Sequence, residues 1–143
     1  MKQITKSTKP VSEKQIKREW HLVNMAKERL GRVTNEIANL LQGKRKTTYA
    51  PYIDSGDYVV IINAKKVTLS GKKTDTKVYS YYSGYPGGLK KVSFKELIEK
   101  KPEEVIRHAV SGMLPKNKLR DRRLARLFIF ADEHHPYEDK LKK

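Results

Sequence analysis

The chain has 143 residues, and its 32 Lys and Arg face 16 Asp and Glu, which leaves a formal net charge of +16. This length suits one domain with its own core, the lack of cysteine excludes a disulfide framework and a thiolate metal site, and no apolar stretch approaches the roughly 18 residues that cross a membrane. The surplus of base makes nucleic acid the expected partner, because an anionic membrane would require a basic amphipathic helix with an apolar, aromatic face, and none is found.

The first nineteen residues form a basic segment with few apolar side chains. They contain no apolar run of the kind found in a secretory signal, and they carry too little apolar surface to build a core. Residues 1–19 are therefore predicted to be a flexible arm, which either lies along RNA or only helps to keep the chain in solution.

A strand is predicted at residues 20–25, followed by an amphipathic helix over residues 30–41 with apolar residues at helical spacing. Gly43 is expected to end this helix. Three cations follow directly, Lys44, Arg45 and Lys46. Cations at this end stabilise the helix dipole. Three in a row exceed what capping requires, so we also expect them to contact phosphate.

Residues 57–63 form a continuous apolar run, which predicts a strand covered on both faces, as in an α/β sheet. Shorter β-like pieces follow at residues 67–70 and 78–82. The stretch between them, residues 71–77, is predicted to be a turn rich in base. Its cations are Lys72, Lys73 and Lys77.

A glycine-rich stretch over residues 83–91 follows a cluster of tyrosines. Glycines let the backbone approach a ligand closely, and aromatic rings beside glycine and lysine can stack on exposed bases. The residues of this kind are Tyr82, Tyr85, Gly87, Gly88 and Lys90. Glycine-rich loops also hold nucleotide phosphates, but the spacing is that of neither a P-loop nor a dinucleotide site. An ordinary turn with half-buried tyrosines is the alternative.

Two helices are predicted next. Ser93 and Glu96 have the spacing of a capping box at the start of a helix over residues 92–100. Pro102 suits the first position of the second helix, which two glutamates follow at its positive end.

The second helix leads into residues 111–131, where a basic run lies between an apolar helix end and an apolar run at 127–130 that is typical of a buried strand. Its cations are Lys116, Lys118, Arg120, Arg122, Arg123 and Arg126. Because both ends of the run belong to a core, the charges are held in place, as recognition of a fixed array of phosphates requires. A solvated helix face is the alternative.

No set of residues indicates catalysis. His134 and His135 are adjacent, so they lack the helical i, i+4 spacing of a zinc protease, and no metal is expected. Asp54 and Asp57 flank a turn and are expected to cap it. The sequence predicts no enzymatic activity, no cofactor and no small-molecule substrate.

Three motifs, read together, resemble the bacterial form of the universal large-subunit ribosomal protein thirteen. They are GDYVVIINA at residues 56–64, GYPGGLK at 84–90 and AVSGMLPKN at 109–117. Weaker matches include Leu30-Gly31-Arg32, and the resemblance covers residues 18–135. It implies a three-layer α/β/α fold around a central, mostly parallel sheet of about four strands. It also implies a structural role in binding large-subunit rRNA early in assembly, beside neighbouring ribosomal proteins.

The sequence thus predicts a basic arm over 1–19, one α/β rRNA-binding domain over 20–135 and a polar tail over 136–143. Each basic stretch is expected to neutralise phosphates from a different part of the folded rRNA, which favours recognition of shape over sequence. The predicted contacts are Arg32, Lys44, Arg45, Lys46, Lys72, Lys73, Lys77, Tyr82, Tyr85, Gly87, Gly88, Lys90, Lys116, Asn117, Lys118, Arg120, Arg122, Arg123 and Arg126.

The expected location is the cytoplasmic ribosome, with an organellar ribosome left open, and the chain is expected to be a monomer off the ribosome. Two other functions stay open at this point. One is a non-ribosomal RNA-binding factor. The other is a nucleotide or RNA-processing enzyme that uses the loop Gly84–Gly88.

Overall fold

The computed structural model describes residues 12–141, which contain both strands and helices. The strands are β1 (Trp20–Asn24), β2 (Tyr58–Ile62), β3 (Val78–Tyr82), β4 (Leu89–Ser93) and β5 (Leu127–Ile129). The helices are α1 (Leu30–Gln42), α2 (Lys73–Thr76), α3 (Phe94–Lys100), α4 (Pro102–Met113), α5 (Leu119–Leu124) and α6 (Glu138–Leu141). Residues 1–11 of the predicted arm and residues 142–143 of the predicted tail lie outside this range.

Three strands form the central sheet, in the order β1-β2-β5, and both pairings are parallel. About four strands were expected. Residues 67–70 contribute only one isolated bridge, between Arg29 and Thr68. The 3-10 turn at Ala64–Lys66 redirects the chain directly after β2, so the next residues do not run along the sheet.

A separate antiparallel hairpin is formed by β3 and β4. Residues 89–91, predicted as part of the glycine-rich loop, belong to β4. The predicted basic turn over 71–77 contains a single helical turn, α2. This turn is tied to α3 by an ion pair between Lys95 and Asp75, at 2.6 Å.

One face of the central sheet carries the main core. Alternation along the strands puts Val59, Ile61, Leu127 and Ile129 on this face, where they join one buried cluster with the apolar sides of α1 and α4. Full burial of each such side chain contributes about 1.5–3 kcal/mol to stability. The core thereby fixes both ends of α1 relative to the sheet.

The opposite face of the sheet carries an aromatic cluster. Trp20 stacks on Tyr58 with ring centroids 4.4 Å apart and on Tyr137 at 5.2 Å, and Phe128 lies 4.7 Å from Tyr137. Tyr137 belongs to the segment predicted as a polar tail, so this segment packs on the sheet through an aromatic ring. This face is covered by the C-terminal segment and the four-residue α6, whereas α1 and α4 cover the other.

The ends of the helices follow the predicted local signals. Gly43 ends α1 with a left-handed φ of 76°, the Ser93 hydroxyl accepts a hydrogen bond from the Glu96 amide at 3.3 Å, and Pro102 is the first residue of α4. None of the helices between residues 12 and 141 has the length and apolar composition needed to cross a membrane.

Candidate nucleic-acid interface

The turn before β2 holds two buried carboxylates, Asp54 and Asp57. Arg126 donates from Nη2 to Asp54 Oδ1 at 2.5 Å, and its Nη1 pairs with the other carboxylate oxygen. The same Nη2 lies 3.3 Å from the carbonyl oxygen of Leu41, near the end of α1. Arg123 is only 1% exposed, with Nε 3.7 Å from Asp54 Oδ1. Two of the predicted RNA contacts are therefore directed into the protein.

Asp57 holds a third predicted contact in the same way. It forms an ion pair with Lys46 and accepts a hydrogen bond from the Glu19 amide at 3.0 Å. Lys46 also donates to the carbonyl oxygens of Ser55, at 3.1 Å, and Lys17, at 2.7 Å. Its ammonium group thus joins the segment before β1, the loop after α1 and the turn before β2.

Two glycines let this turn pack directly on the end of α1. A Cβ at Gly56 would lie 1.8 Å from the Leu41 carbonyl oxygen, which no rearrangement of side chains relieves. A Cβ at Gly43 would lie 2.7 Å from the carbonyl oxygen of Ser55. The two backbones therefore meet at a distance that only glycine permits.

The other end of α1 borders a cavity of about 420 Å³. Its walls come from the start of α1, from the segment around α2 and from the end of α4. Four cations line it, Arg29, Arg32, Lys73 and Lys77, and no carboxylate does. The structure thus brings together three predicted contacts that are separated by up to 45 positions in the sequence, and it adds Arg29 to them.

The charges around this cavity oppose the dipole of α1. Cations at a helix N-terminus are unfavourable there by about 0.3–1 kcal/mol each, and the first turn of α1 contains no acid. The starts of α3 and α4, by contrast, carry Glu96 and Glu103 as the dipole favours. An anion in the cavity would meet both the cations and the positive helix end, so the arrangement fits a bound phosphate.

The basic run after α4 begins beside the cavity. Met113 lines the cavity, and Lys116 follows it within about 11 Å of extended chain. Asn117 accepts a hydrogen bond from the Leu119 amide at 3.1 Å, which shapes the turn into α5. Exposed side chains of this run are Lys116, Asn117, Lys118 and Arg122, while Arg120 is half-buried.

The hairpin tip forms a second region. Tyr82 and Tyr85 are 68% and 76% exposed, and Lys90, which pairs with Tyr81 in the hairpin, is exposed as well. Gly88 donates to the Tyr85 carbonyl at 2.9 Å, and Gly87 has a left-handed φ of 74°. These glycines shape the turn, and the tyrosine rings remain available for stacking.

The remaining predicted residues occupy other surfaces. Lys44 is exposed after α1, and Lys72 precedes α2. Arg45 pairs with Glu36 at 2.5 Å and lines a different cavity, beside β1. The nineteen predicted residues therefore do not form one patch. Arg29 was missed, although its spacing of three from Arg32 places both on neighbouring positions of one helix surface.

Tyr79 lies beside Lys77, one of the cations that line the cavity. Burial, and to a smaller extent Tyr81, raises its pKa above the ordinary value of 10.0, and its hydroxyl has no hydrogen-bond partner within residues 12–141. The Lys77 ammonium lies 5.2 Å from the Tyr79 ring centroid, within the range of a cation–π contact. Within the same range no cluster of three or more acidic or histidine residues is placed to hold a metal ion.

The fold and the cationic cavity have the features of an α/β protein that contacts a polyanion. The family model described as ribosomal protein L13 matches residues 18–136. The large ribosomal subunit protein uL13 of Clostridioides difficile is 54% identical over 122 residues, which cover 85% of each chain. That of Geobacter sulfurreducens is 47% identical over 133 residues and 93% of each chain. The chain therefore belongs to the ribosomal protein L13 family, whose members are structural and not enzymatic.

Proposed function

We propose that the chain stabilises folded large-subunit rRNA through a cationic surface centred on the cavity at the start of α1. By its family, the chain is a structural constituent of the large subunit of the cytoplasmic ribosome. This role excludes the enzyme alternative. We further propose that this surface binds rRNA early in assembly. In the subunit the chain contacts neighbouring ribosomal proteins, and off the ribosome it is a monomer.

The proposed centre of this surface is the cavity, which is lined by Arg29, Arg32, Lys73 and Lys77 and has no carboxylate in its wall. Each cation that neutralises a phosphate releases condensed counterions, so such contacts stabilise an RNA complex regardless of sequence. Arginine adds a planar fork that matches the phosphate oxygens. The cavity therefore suits one bend of RNA backbone, held from three sides.

The basic run extends this surface. Lys116, Lys118 and Arg122 point outward from the turn and from α5, and we assign them to phosphates next to those in the cavity. Lys46, Arg123 and Arg126 are left out of this surface, because their charges are satisfied or enclosed around Asp54 and Asp57.

The hairpin tip supplies a contact of another type. The exposed rings of Tyr82 and Tyr85 suit stacking on unpaired bases, which is worth about 1–3 kcal/mol per base. Gly87, Gly88 and Lys90 let the RNA backbone come close to the same turn. The protein would thus hold two separate parts of the folded rRNA, one at the cavity and one at the hairpin.

The test is binding of the purified chain to isolated large-subunit rRNA over a range of salt concentrations. With about six to ten phosphate contacts, affinity should fall by about 10³–10⁵ between about 50 and 200 mM salt. Lys73→Glu should lower both the affinity and the steepness of this dependence. A salt response that is nearly flat contradicts the proposal.

Lys100→Glu is the matched control. Lys100 is exposed at the end of α3 and pairs with Glu96 at 2.7 Å, outside the proposed surface. The same change of charge there should leave the steepness unchanged. Equal losses from the two variants would mean that only net charge matters, and the cavity would lose its assigned role.

A further inference from the structure

The central sheet has an open edge at β1. Glu19 accepts from the Tyr58 amide at 2.9 Å and Met25 donates to the Ile62 carbonyl at 3.2 Å. In a parallel ladder, the residues that bond to one neighbour alternate with residues whose N–H and C=O groups point away from it. The backbone groups of Leu22 therefore point outward, and no strand among residues 12–141 pairs with this side of β1.

A groove of about 530 Å³ runs along this edge. Its floor is β1 itself, over residues 21–24, and its apolar walls include Val33 and Leu40 from α1 and Ile62 from β2. Leu22 is 48% exposed. An extended chain laid in the groove would thus find unpaired backbone groups beside apolar surface, which is the combination that strand addition uses.

The charges of the groove differ from those of the rest of the protein. Three carboxylates line it, Glu28, Glu36 and Glu133, against the cations Lys27 and Arg45. Arg45 is already paired with Glu36. In a chain with twice as many cations as acids, this groove is the reverse of the cavity at the start of α1, and it disfavours phosphate.

We propose that this groove binds an extended, Lys- and Arg-rich segment of a neighbouring protein in the large subunit, added as a strand beside β1. Alternating N–H and C=O groups on the edge match another polypeptide backbone, whereas an RNA backbone offers no amide donors for the carbonyls. The carboxylates select basic side chains on the incoming strand. The inference rests on the proposed function for the neighbour but uses a surface separate from the RNA contacts.

The experiment is photo-crosslinking within purified large subunits that have incorporated full-length variants of the chain. Leu22→p-benzoylphenylalanine is expected to crosslink to a Lys- and Arg-rich segment of another ribosomal protein, identified by mass spectrometry of the crosslinked peptide. A crosslink to rRNA, to residues 1–11 of the same chain or to an acidic or neutral segment overturns the proposal. So does the absence of any crosslink.

Lys116→p-benzoylphenylalanine in the same particles separates the two hypotheses. It should crosslink to rRNA. If it does not, the proposed RNA surface is wrong, whatever Leu22 contacts. If Lys116 reaches RNA and Leu22 fails as described above, only the strand-addition proposal is lost.

Two further measurements guard against an effect of the crosslinking residue on assembly. In unmodified subunits, the amide hydrogen of Leu22 should exchange with solvent more slowly than in the free chain, because it donates a hydrogen bond to the added strand. Unchanged exchange contradicts the proposal. The double variant Glu28→Lys and Glu133→Lys should lower the Leu22 crosslink yield by about two- to fivefold, the range expected for partly exposed charge pairs. Glu99→Lys, on exposed α3, is the control and should leave the yield unchanged.

Discussion

Cations of the same type occupy two opposite settings in this protein. Around Asp54 and Asp57, Lys46 and Arg126 are paired inside the fold. Around the start of α1, Arg32 and Lys73 line a cavity that contains no carboxylate. The first group connects segments that are distant in the sequence. The second group repels itself and opposes a helix dipole, so a bound anion would stabilise it.

The basic run in residues 116–126 contains both settings. Arg122 is exposed and Arg123 is 1% exposed, although they are adjacent. Successive helical residues point about 100° apart, so one turn of α5 sends one side chain to solvent and the next to Asp54. A single basic run can therefore hold the fold together through one arginine, here called the anchor, and present another as part of the contact surface.

The largest expected effect comes from removing Asp54, the carboxylate that anchors the buried arginines. Asp54→Ala leaves Arg126 and Arg123 buried without their carboxylate, and loss of one partner of a buried ion pair costs about 3–5 kcal/mol. Urea denaturation should show this loss in the free energy of unfolding. Asp132→Ala, which breaks the exposed pair with Lys65, should cost no more than about 1 kcal/mol. Equal costs would show that the buried group is not an anchor.

A smaller loss is expected where the anchor turn meets α1. Gly56→Ala forces a methyl group against the Leu41 carbonyl, so the turn must move, at a cost of about 1–3 kcal/mol or more. Gly112→Ala, in α4, adds a methyl group that has no atom within 4 Å outside its chain neighbours and the local helix backbone, so it should be neutral or stabilise by up to about 1 kcal/mol. Thermal unfolding of both variants measures the difference, and a tolerated Gly56→Ala would disprove the close packing.

Next in size is the contact surface. The sequence predicted both Arg122 and Arg123 as RNA contacts, whereas in the structure Arg122 is exposed and Arg123 is buried. Arg122→Glu should change stability by less than about 0.5 kcal/mol and lower the salt slope of rRNA binding by about 1. Arg123→Glu places a carboxylate beside Asp54 and should unfold the chain. Circular dichroism and binding titrations test the pair, and matching behaviour of the two variants contradicts the distinction.

The smallest effect is expected at Tyr79, whose ring contacts Lys77 of the cavity. Its raised pKa means that the folded state favours the neutral phenol, so this contribution to stability is present below the ordinary pKa of 10.0 and is lost as pH rises through the folded value. Tyr79→Phe also removes a buried hydroxyl without a partner, so stability at neutral pH should change by less than about 1 kcal/mol.

Denaturation at neutral and alkaline pH measures this effect. The wild type should lose stability above about pH 10, and Tyr79→Phe should lose less. Tyr82→Phe, at an exposed site, is expected to keep the alkaline loss of the wild type. If both variants behave alike, the buried phenol is not responsible.

Much of the local structure was predictable from the sequence. The sequence predicted the strands β1, β2 and β5 and the helices α1, α3 and α4. It also predicted the roles of Gly43, Ser93 and Pro102 at the helix ends. These features depend on apolar periodicity and on backbone preferences of single residues, which are local properties. The prediction of a strand at residues 67–70 was wrong, because strand formation also needs a neighbouring strand to pair with.

The positions of the charges were decided by the tertiary structure. The sequence determined that the chain is strongly basic, that it forms an α/β domain and that it resembles a ribosomal family. It did not distinguish Arg122 from Arg123, and it did not show that Arg29, Arg32, Lys73 and Lys77 share one cavity. Whether a cation meets a carboxylate or solvent depends on which distant segments the core brings beside it, and a one-dimensional pattern of charges does not contain that information.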